Sequence, residues 1–166
     1  MKKRITELKS QQPIRGLPGE PKISIIIPVF NNVELTRQCL EALCANTRYP
    51  NYEVIIIDNG STDTTGNLLS TLSGNIKIIK NKQNLGFSKA NNQGAQAAEG
   101  KYLVFLNNDT EVIEGGWLEA MLEMIQVPGV AVARSSPISY IHRPSRPAWV
   151  VLPAQHKVNG VSGTRT

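Results

Sequence analysis

The 166-residue chain has only two cysteines and two histidines, and no acidic residue beyond Glu123. Two cysteines make no disulfide scaffold. Cys39 and Cys44, five apart on a predicted helix, diverge by about 140° around its axis. No Cys/His cluster has zinc spacing. No apolar run approaches the roughly 20 residues of a membrane span. Lys2, Lys3 and Arg4 have no apolar stretch behind them, so no secretory signal is read and a cytoplasmic location is expected. The first apolar run is not followed by G-x-G-x-x-G, and the chain has neither a Walker loop nor a G-x-S-x-G elbow. A classical dinucleotide site, a P-loop and a serine-hydrolase elbow are thereby unsupported. His142 and His156 lie in an aperiodic stretch and are read as exposed.

What is present fits one globular domain, with 40% apolar and 19% charged residues. The net charge of +5 is unevenly spread: residues 1–20 carry five basic and two acidic groups, 21–133 eight and eleven, and 134–166 five and none. A mildly acidic centre argues against a nucleic-acid-binding core. The basic ends are either solvated or drawn weakly to an anionic membrane or polymer.

Residues 1–21 are polar, end in Pro and Gly, and read as a leader or linker. Ile23 and Ile25–Ile27 then form a β-branched run that suits a strand buried on both faces. Asn31 or Asn32 is placed to cap a following helix with Val33, Leu35, Cys39, Leu40 and Leu43 on its apolar side. The cycle repeats with strands at 54–57, 76–79 and 102–106, a helix carrying Leu68, Leu69 and Leu72, a small-residue helix at 87–98, and an amphipathic helix carrying Trp117, Leu118, Met121, Leu122 and Ile125. A short apolar stretch, Val130 to Ala133, closes the domain at 22–133. Residues 134–166, basic and proline-containing, show no periodicity and are read as a tail. Strands alternating with helices predict an α/β fold with a mainly parallel sheet and helices on both faces. Ligands of such sheets bind at the carboxyl ends of the strands, where Asn31, Asp58, Asn84 and Asp109 fall.

Asp109, preceded by Asn107 and Asn108, is either a turn residue or a ligand for a hard cation that also takes phosphate oxygens. Asp58 either accepts hydrogen bonds from a base or ribose, or closes an Asx turn on its own backbone. Ser61 or Thr62 is read as a helix cap, with Asp63 in the first turn. Gly86 permits close approach of a ligand, and Lys89 faces either a phosphate or solvent. Ala90, Gly94, Ala95, Ala97 and Ala98 are read as small for close helix–sheet packing.

In order along residues 22–133, Ile25-Ile26-Ile27-Pro28-Val29-Phe30-Asn31, Asp58-Asn59-Gly60-Ser61-Thr62-Asp63, Asn84-Leu85-Gly86-Phe87 with Ala90-Asn91, Gly94 and Gly100, and Leu106-Asn107-Asn108-Asp109-Thr110 resemble the motifs of family 2 glycosyltransferases, which have the GT-A fold. The wording of the last two blocks is similar to the rhamnosyltransferase-like branch, which acts in cell-surface polysaccharide assembly. The resemblance implies a Rossmann-like nucleotide-binding half, and inverting transfer of a sugar from a nucleotide-diphosphate donor to a hydroxyl of a glycan or lipid-linked acceptor. Under it, Pro28, Val29, Phe30 and Asn31 line the nucleotide and Asp58 contacts the base. Asn84, Gly86 and Lys89 border base and diphosphate, Asp109 binds Mg²⁺ or Mn²⁺, and Asn107, beside Asn108, replaces the first aspartate of the D-x-D motif. The implied setting is the cytoplasm, with peripheral contact at the inner face of the membrane through the basic ends.

The pattern departs from the family at its end. The family's general base is an Asp or Glu well past this point, and none follows Glu123. Glu111 and Glu114 match nothing in that role, so the catalytic base is unassigned. A truncated or frameshifted donor-binding half, or a site completed by a partner chain, accounts for this. The alternatives to a glycosyltransferase are a non-catalytic remnant that binds nucleotide only, and a second enzyme class, a sugar nucleotidyltransferase. The second normally has a glycine-rich basic loop where Pro28-Val29-Phe30-Asn31-Asn32 stands.

Overall fold

The computed structural model describes residues 20–125 and the backbone of three further strands, Val132–Arg134, Ile141–His142 and Trp149–Pro153. The elements in chain order are β1 (Ile23–Val29), α1 (Val33–Asn46), β2 (Tyr52–Asp58), α2 (Thr65–Ser70), β3 (Ile76–Lys80), α3 (Phe87–Ala97), β4 (Tyr102–Phe105), β5 (Glu111–Val112), α4 (Trp117–Ile125), β6 (Val132–Arg134), β7 (Ile141–His142) and β8 (Trp149–Pro153). The main sheet runs β3-β2-β1-β4-β8-β6, and β5 pairs with β7 in a small second sheet. The first four strands of the main sheet are parallel; β8 runs antiparallel to β4 and to β6. The expected α/β class is therefore what the chain forms.

Every residue of β2 is buried, as are all those of β1 except Pro28. Uninterrupted β-branched runs fit strands covered on both faces. Ile25, Ile27, Val54 and Ile56 share one core with Cys39, Leu40 and Leu43 of α1 and Trp117, Leu118, Met121 and Leu122 of α4. Ile26, Ile55 and Ile57 face α3 through Ala90. A Cβ on Gly94 would stand 2.4 Å from Ile26 Cγ2 and 2.9 Å from Ile57 Cδ1, so α3 lies close to the sheet because this position has no side chain.

Pro28 sits at the carboxyl end of a central strand without breaking it. The last β1–β4 pair is Ile26 with Phe105, so Pro28 lies beyond the β4 ladder and its missing N–H leaves no gap there.

The sequence reading of 134–166 as an aperiodic tail misses two strands, and the sheet extends past the boundary at 133. Trp149-Val150-Val151-Leu152 is a β-prone run, and its closing Pro153 is compatible with a strand end. The surrounding prolines hid it. The two-residue strands β5 and β7 exist only through each other and carry no periodicity to read.

At the amino-terminal end of the sheet, buried Glu53 is saturated. Its Oε1 accepts from Ser24 Oγ at 2.6 Å and from the Glu99 N–H at 2.8 Å, and Lys22 Nζ lies 3.4 Å from Oε2. Ser24 Oγ in turn accepts from the Gly100 N–H at 2.8 Å. Lys22 and Lys77 both pair with Glu99, at 2.8 and 3.3 Å. This clamp fixes the α3–β4 turn, and with it where β4 emerges at the other end.

Candidate functional site

Parallel pairing places Val29, Asp58 and Lys80 side by side, so the loops after β1, β2 and β3 leave the sheet at one level, next to the loop after β4. Between them lies an open cleft of about 460 Å³, within the usual range of a small-molecule site. Its lining is Pro28 and Val29 of β1 with Phe30 just after it, Asn59 after β2, Asn84 from the β3–α3 turn, Phe87 at the start of α3, and Asn107, Asn108 and Asp109 after β4. Phe30 and Phe87 remain 43% and 52% exposed, large values for aromatic side chains, and give the cleft two ring faces.

Seven of the residues singled out in the sequence thus share one cleft: Pro28, Val29, Phe30, Asn84, Asn107, Asn108 and Asp109. Four do not line it: Asn31, Asp58, Gly86 and Lys89. Asp58 is buried, and its Oδ1 accepts from the Ser61 N–H at 2.9 Å, three residues on and not at Asn59 or Gly60, so one of its carboxylate oxygens braces the loop. Asn31 is likewise occupied. Its N–H donates to Ser61 Oγ at 2.9 Å, and its Oδ1 accepts from the Thr62 N–H at 2.8 Å, which sews the first loop to the second. Lys89 is exposed on α3, and the Gly86 N–H is used within its own turn.

Helix capping also differs from the expectation. Asn31 and Asn32 both adopt the left-handed backbone that asparagine tolerates, and neither caps α1 with its side chain. Asp63 does so from the second loop, accepting from the Val33 N–H through Oδ2 at 3.1 Å and from the Thr65 N–H through Oδ1 at 2.9 Å. Neither Ser61 nor Thr62 caps α2. Hydrogen bonds from Thr65, and then from Val33, hold the Asp63 carboxyl below the usual carboxylate range.

Sequence reasoning missed Asn59 and Phe87. Asn59 is adjacent to a more conspicuous acid, and Phe87 directly follows a turn glycine, a place where a large apolar residue has little core to enter. Asn59 is buried and anchors the wall of the cleft: its Oδ1 accepts from Asn81 Nδ2 and from the Leu85 N–H, both at 3.0 Å, and its Nδ2 donates to Asn84 Oδ1 at 2.8 Å. The second and third loops touch so closely here that a Cβ on Gly60, at φ +83°, would meet the Gln83 backbone at 2.7 Å.

On the opposite wall α1 holds the Asn107–Asp109 turn. Asn108 Nδ2 donates to the buried Thr36 Oγ1 at 3.1 Å, leaving its Oδ1 as an acceptor, and Cys39 Sγ lies 3.6 Å from the Asn107 carbonyl oxygen. Burial pushes the Cys39 thiol up to about 12, so it is a protonated donor and not a nucleophile.

Among the described residues Asp109 is the one carboxylate that lines the cleft; Glu111 and Glu114 do not line it. Glu119, whose carboxyl is raised chiefly by burial, lies on α4, also outside the lining. Among the described residues no three His, Cys, Asp or Glu side chains gather as a closed metal cage. One carboxylate with neighbouring amide oxygens still fits Mg²⁺ or Mn²⁺, provided phosphate oxygens and water complete the shell. Among the described residues the lining holds no Lys or Arg, so they offer a phosphate no positive charge.

A mainly parallel sheet with a polar, aromatic-edged cleft across the carboxyl ends of its parallel strands defines an α/β domain of the GT-A type. The chain belongs to glycosyl transferase family 2, whose model matches residues 24–158. It is 33% identical over 126 residues to the O-antigen biosynthesis protein RfbC of Myxococcus xanthus, covering 75% of this chain and 10% of that protein. Among solved structures it is similar to S. aureus TarS 1–349 in complex with UDP-GlcNAc, with a TM-score of 0.58, 26% identity, and coverage of 67% of this chain and 33% of that one. The mannosyltransferase PcManGT from Pyrobaculum calidifontis, in complex with GDP-Man and Mn²⁺, shares the fold at a TM-score of 0.61 and 21% identity, covering 74% of this chain and 38% of that one. The chain thus spans well under half the length of these relatives.

Proposed function

We propose that the cleft takes a nucleotide-diphosphate sugar, with its pyrophosphate at the Asp109 end, and that the domain serves inverting transfer of the sugar to a hydroxyl of a glycan or lipid-linked acceptor in polysaccharide assembly. The observation that carries this reading is the make-up of the cleft: one carboxylate at the β4 end, neutral amides along the walls and two exposed phenylalanines. Asp109, with Asn107 or Asn108, would hold Mg²⁺ or Mn²⁺. Such a cation supplies the positive charge that the lining lacks and stabilises a departing diphosphate. The UDP-GlcNAc complex of TarS supports the donor class. The setting proposed is the cytoplasm, at the inner face of the membrane, with the basic ends drawn to anionic lipid. No helix of the described residues is long and apolar enough to cross a membrane.

One observation favours a second reading. With Asp109 engaged on a cation, no other carboxylate among the described residues lining the cleft is there to take the acceptor proton, which favours a domain that binds donor without transferring from it. Calorimetry with UDP and GDP, with Mn²⁺ and then with a chelator, tests the donor reading: binding that weakens on chelation is expected, and unchanged affinity contradicts the role of Asp109. Donor turnover by the chain, above that of Asp109→Ala, decides for the enzyme; equal background rates decide for the binding module.

A further inference from the structure

Asn59 and Asn84 are tied together in a single orientation. The Leu85 N–H donates to Asn59 Oδ1 at 3.0 Å, and the Gly86 N–H donates to Asn84 Oδ1 at 2.8 Å. A backbone N–H is only ever a donor, so both side-chain oxygens are fixed, and both side-chain nitrogens with them. Asn59 Nδ2 then meets Asn84 Oδ1 at 2.8 Å. From behind, Asn81 Nδ2 donates to Asn59 Oδ1 at 3.0 Å and is braced by a reciprocal amide pair with Gln93, at 2.8 and 3.0 Å. The side chain of Asn59 is therefore fully engaged within the wall. Asn84 is exposed and its oxygen already takes two donors, while no group among the described residues accepts from its Nδ2. At this point the cleft offers an N–H donor.

Sheet order says which part of a ligand meets that donor. Asp109 follows β4 and Asn84 follows β3, three strand positions apart in the order β3-β2-β1-β4. At roughly 4.8 Å per strand that is on the order of 14 Å. A pyrophosphate at the Asp109 end sends the nucleoside toward Asn84, where Phe87 adds a ring face.

We propose that Asn59, acting through Asn84, is a specificity-determining positioning residue that makes the cleft prefer a nucleobase presenting a carbonyl oxygen over one presenting an amino group at the same edge. This rests on the nucleotide-sugar reading of the cleft. Uracil and cytosine differ in that way, and so do guanine and adenine. Asn59→Asp keeps the oxygen that the Leu85 N–H needs, but sets a carboxylate oxygen against Asn84 Oδ1. Turning the Asn84 amide over would meet that oxygen with Nδ2 but would set Nδ2 against the Gly86 N–H, so no orientation satisfies both neighbours and the fixed donor is lost.

Calorimetry of the full chain with UDP, CDP, GDP and ADP in Mn²⁺ tests this, on wild type, Asn59→Asp and Asn84→Ala, each checked by thermal unfolding. Wild type should favour UDP over CDP, or GDP over ADP, by about tenfold, the usual cost of facing a donor with another donor. Asn84→Ala and Asn59→Asp should each level that ratio. A wild type without preference, or folded variants that keep the wild-type ratio, overturn the proposal. If Asn59→Asp does not fold, Asn84→Ala decides. Binding of none of the four by wild type overturns the nucleotide reading itself and the inference with it, whereas binding without base discrimination overturns the inference alone.

Discussion

The two ends of the parallel sheet solve the same problem in opposite ways. At the amino-terminal end the polar groups are charged and satisfied from within: Glu53 takes hydrogen bonds from Ser24 and Glu99 and faces Lys22, and Glu99 holds two lysines. At the carboxyl-terminal end the walls are neutral amides braced on the protein side, with hydrogen-bonding capacity left toward the cleft. No hydrogen bond or ion pair among the described residues engages the Asp109 carboxylate. The first arrangement consumes its electrostatics in stability. The second leaves them available to a ligand, which is the physical difference between a clamp and a site.

Removing the clamp should have the largest effect on folding. Glu53→Ala strands the Ser24 hydroxyl, the Glu99 N–H and Lys22, and should cost about 3 kcal/mol in denaturant unfolding. The folded fraction should bind nucleotide as before; a comparable fall in affinity would join the two ends and undo the contrast. Asp109→Asn should do the reverse. Cation-dependent nucleotide affinity should drop by at least about tenfold, or about 1.4 kcal/mol, with the unfolding midpoint unchanged within error. Thr36→Val removes the hydroxyl that holds Asn108 and should weaken the same affinity by about 1 kcal/mol, with Thr36→Ser restoring it; equal affinities in all three would leave α1 without a role at the site.

Titration should give the smallest effect. The ion pairs with Lys22 and Lys77 hold the Glu99 carboxyl below its usual range, and the same contacts raise Lys22. The carboxylate's contribution is complete above its ordinary value and is lost as pH falls through the depressed one. The lysine's contribution is complete below its ordinary value and is lost as pH rises through the raised one. Glu99→Gln should therefore differ from wild type by a small constant across neutral pH. The difference should vanish in acid, below the depressed value, in thermal unfolding followed against pH; persistence in acid would mean the pairing contributes nothing.

The sheet was legible because β1, β2 and β4 are uninterrupted apolar runs, and the site edge because each run ends in Asn or Asp. The rest needed partners that no local pattern encodes. β8 joins the sheet only by pairing with β4 and β6, and its flanking prolines read as a tail. Asp58 and Asn59 are adjacent, and on composition the acid looks functional, yet Asp58 Oδ1 braces the Ser61 N–H and Asn59 is the residue that lines the cleft. Asp63 was legible as a helix-start residue, but not as the cap of a helix 30 positions earlier in its hydrogen bond to Val33.

The most direct test is to locate a paramagnetic cation in the folded chain. Mn²⁺ added to the isotopically labelled protein with UDP or GDP should broaden the amide signals of Asn107, Asn108 and Asp109 first, with a weaker effect reaching Asn84, and Asp109→Asn should abolish it. Broadening centred on the Glu53–Glu99 end, or equal broadening in the Asp109→Asn variant, would contradict the account.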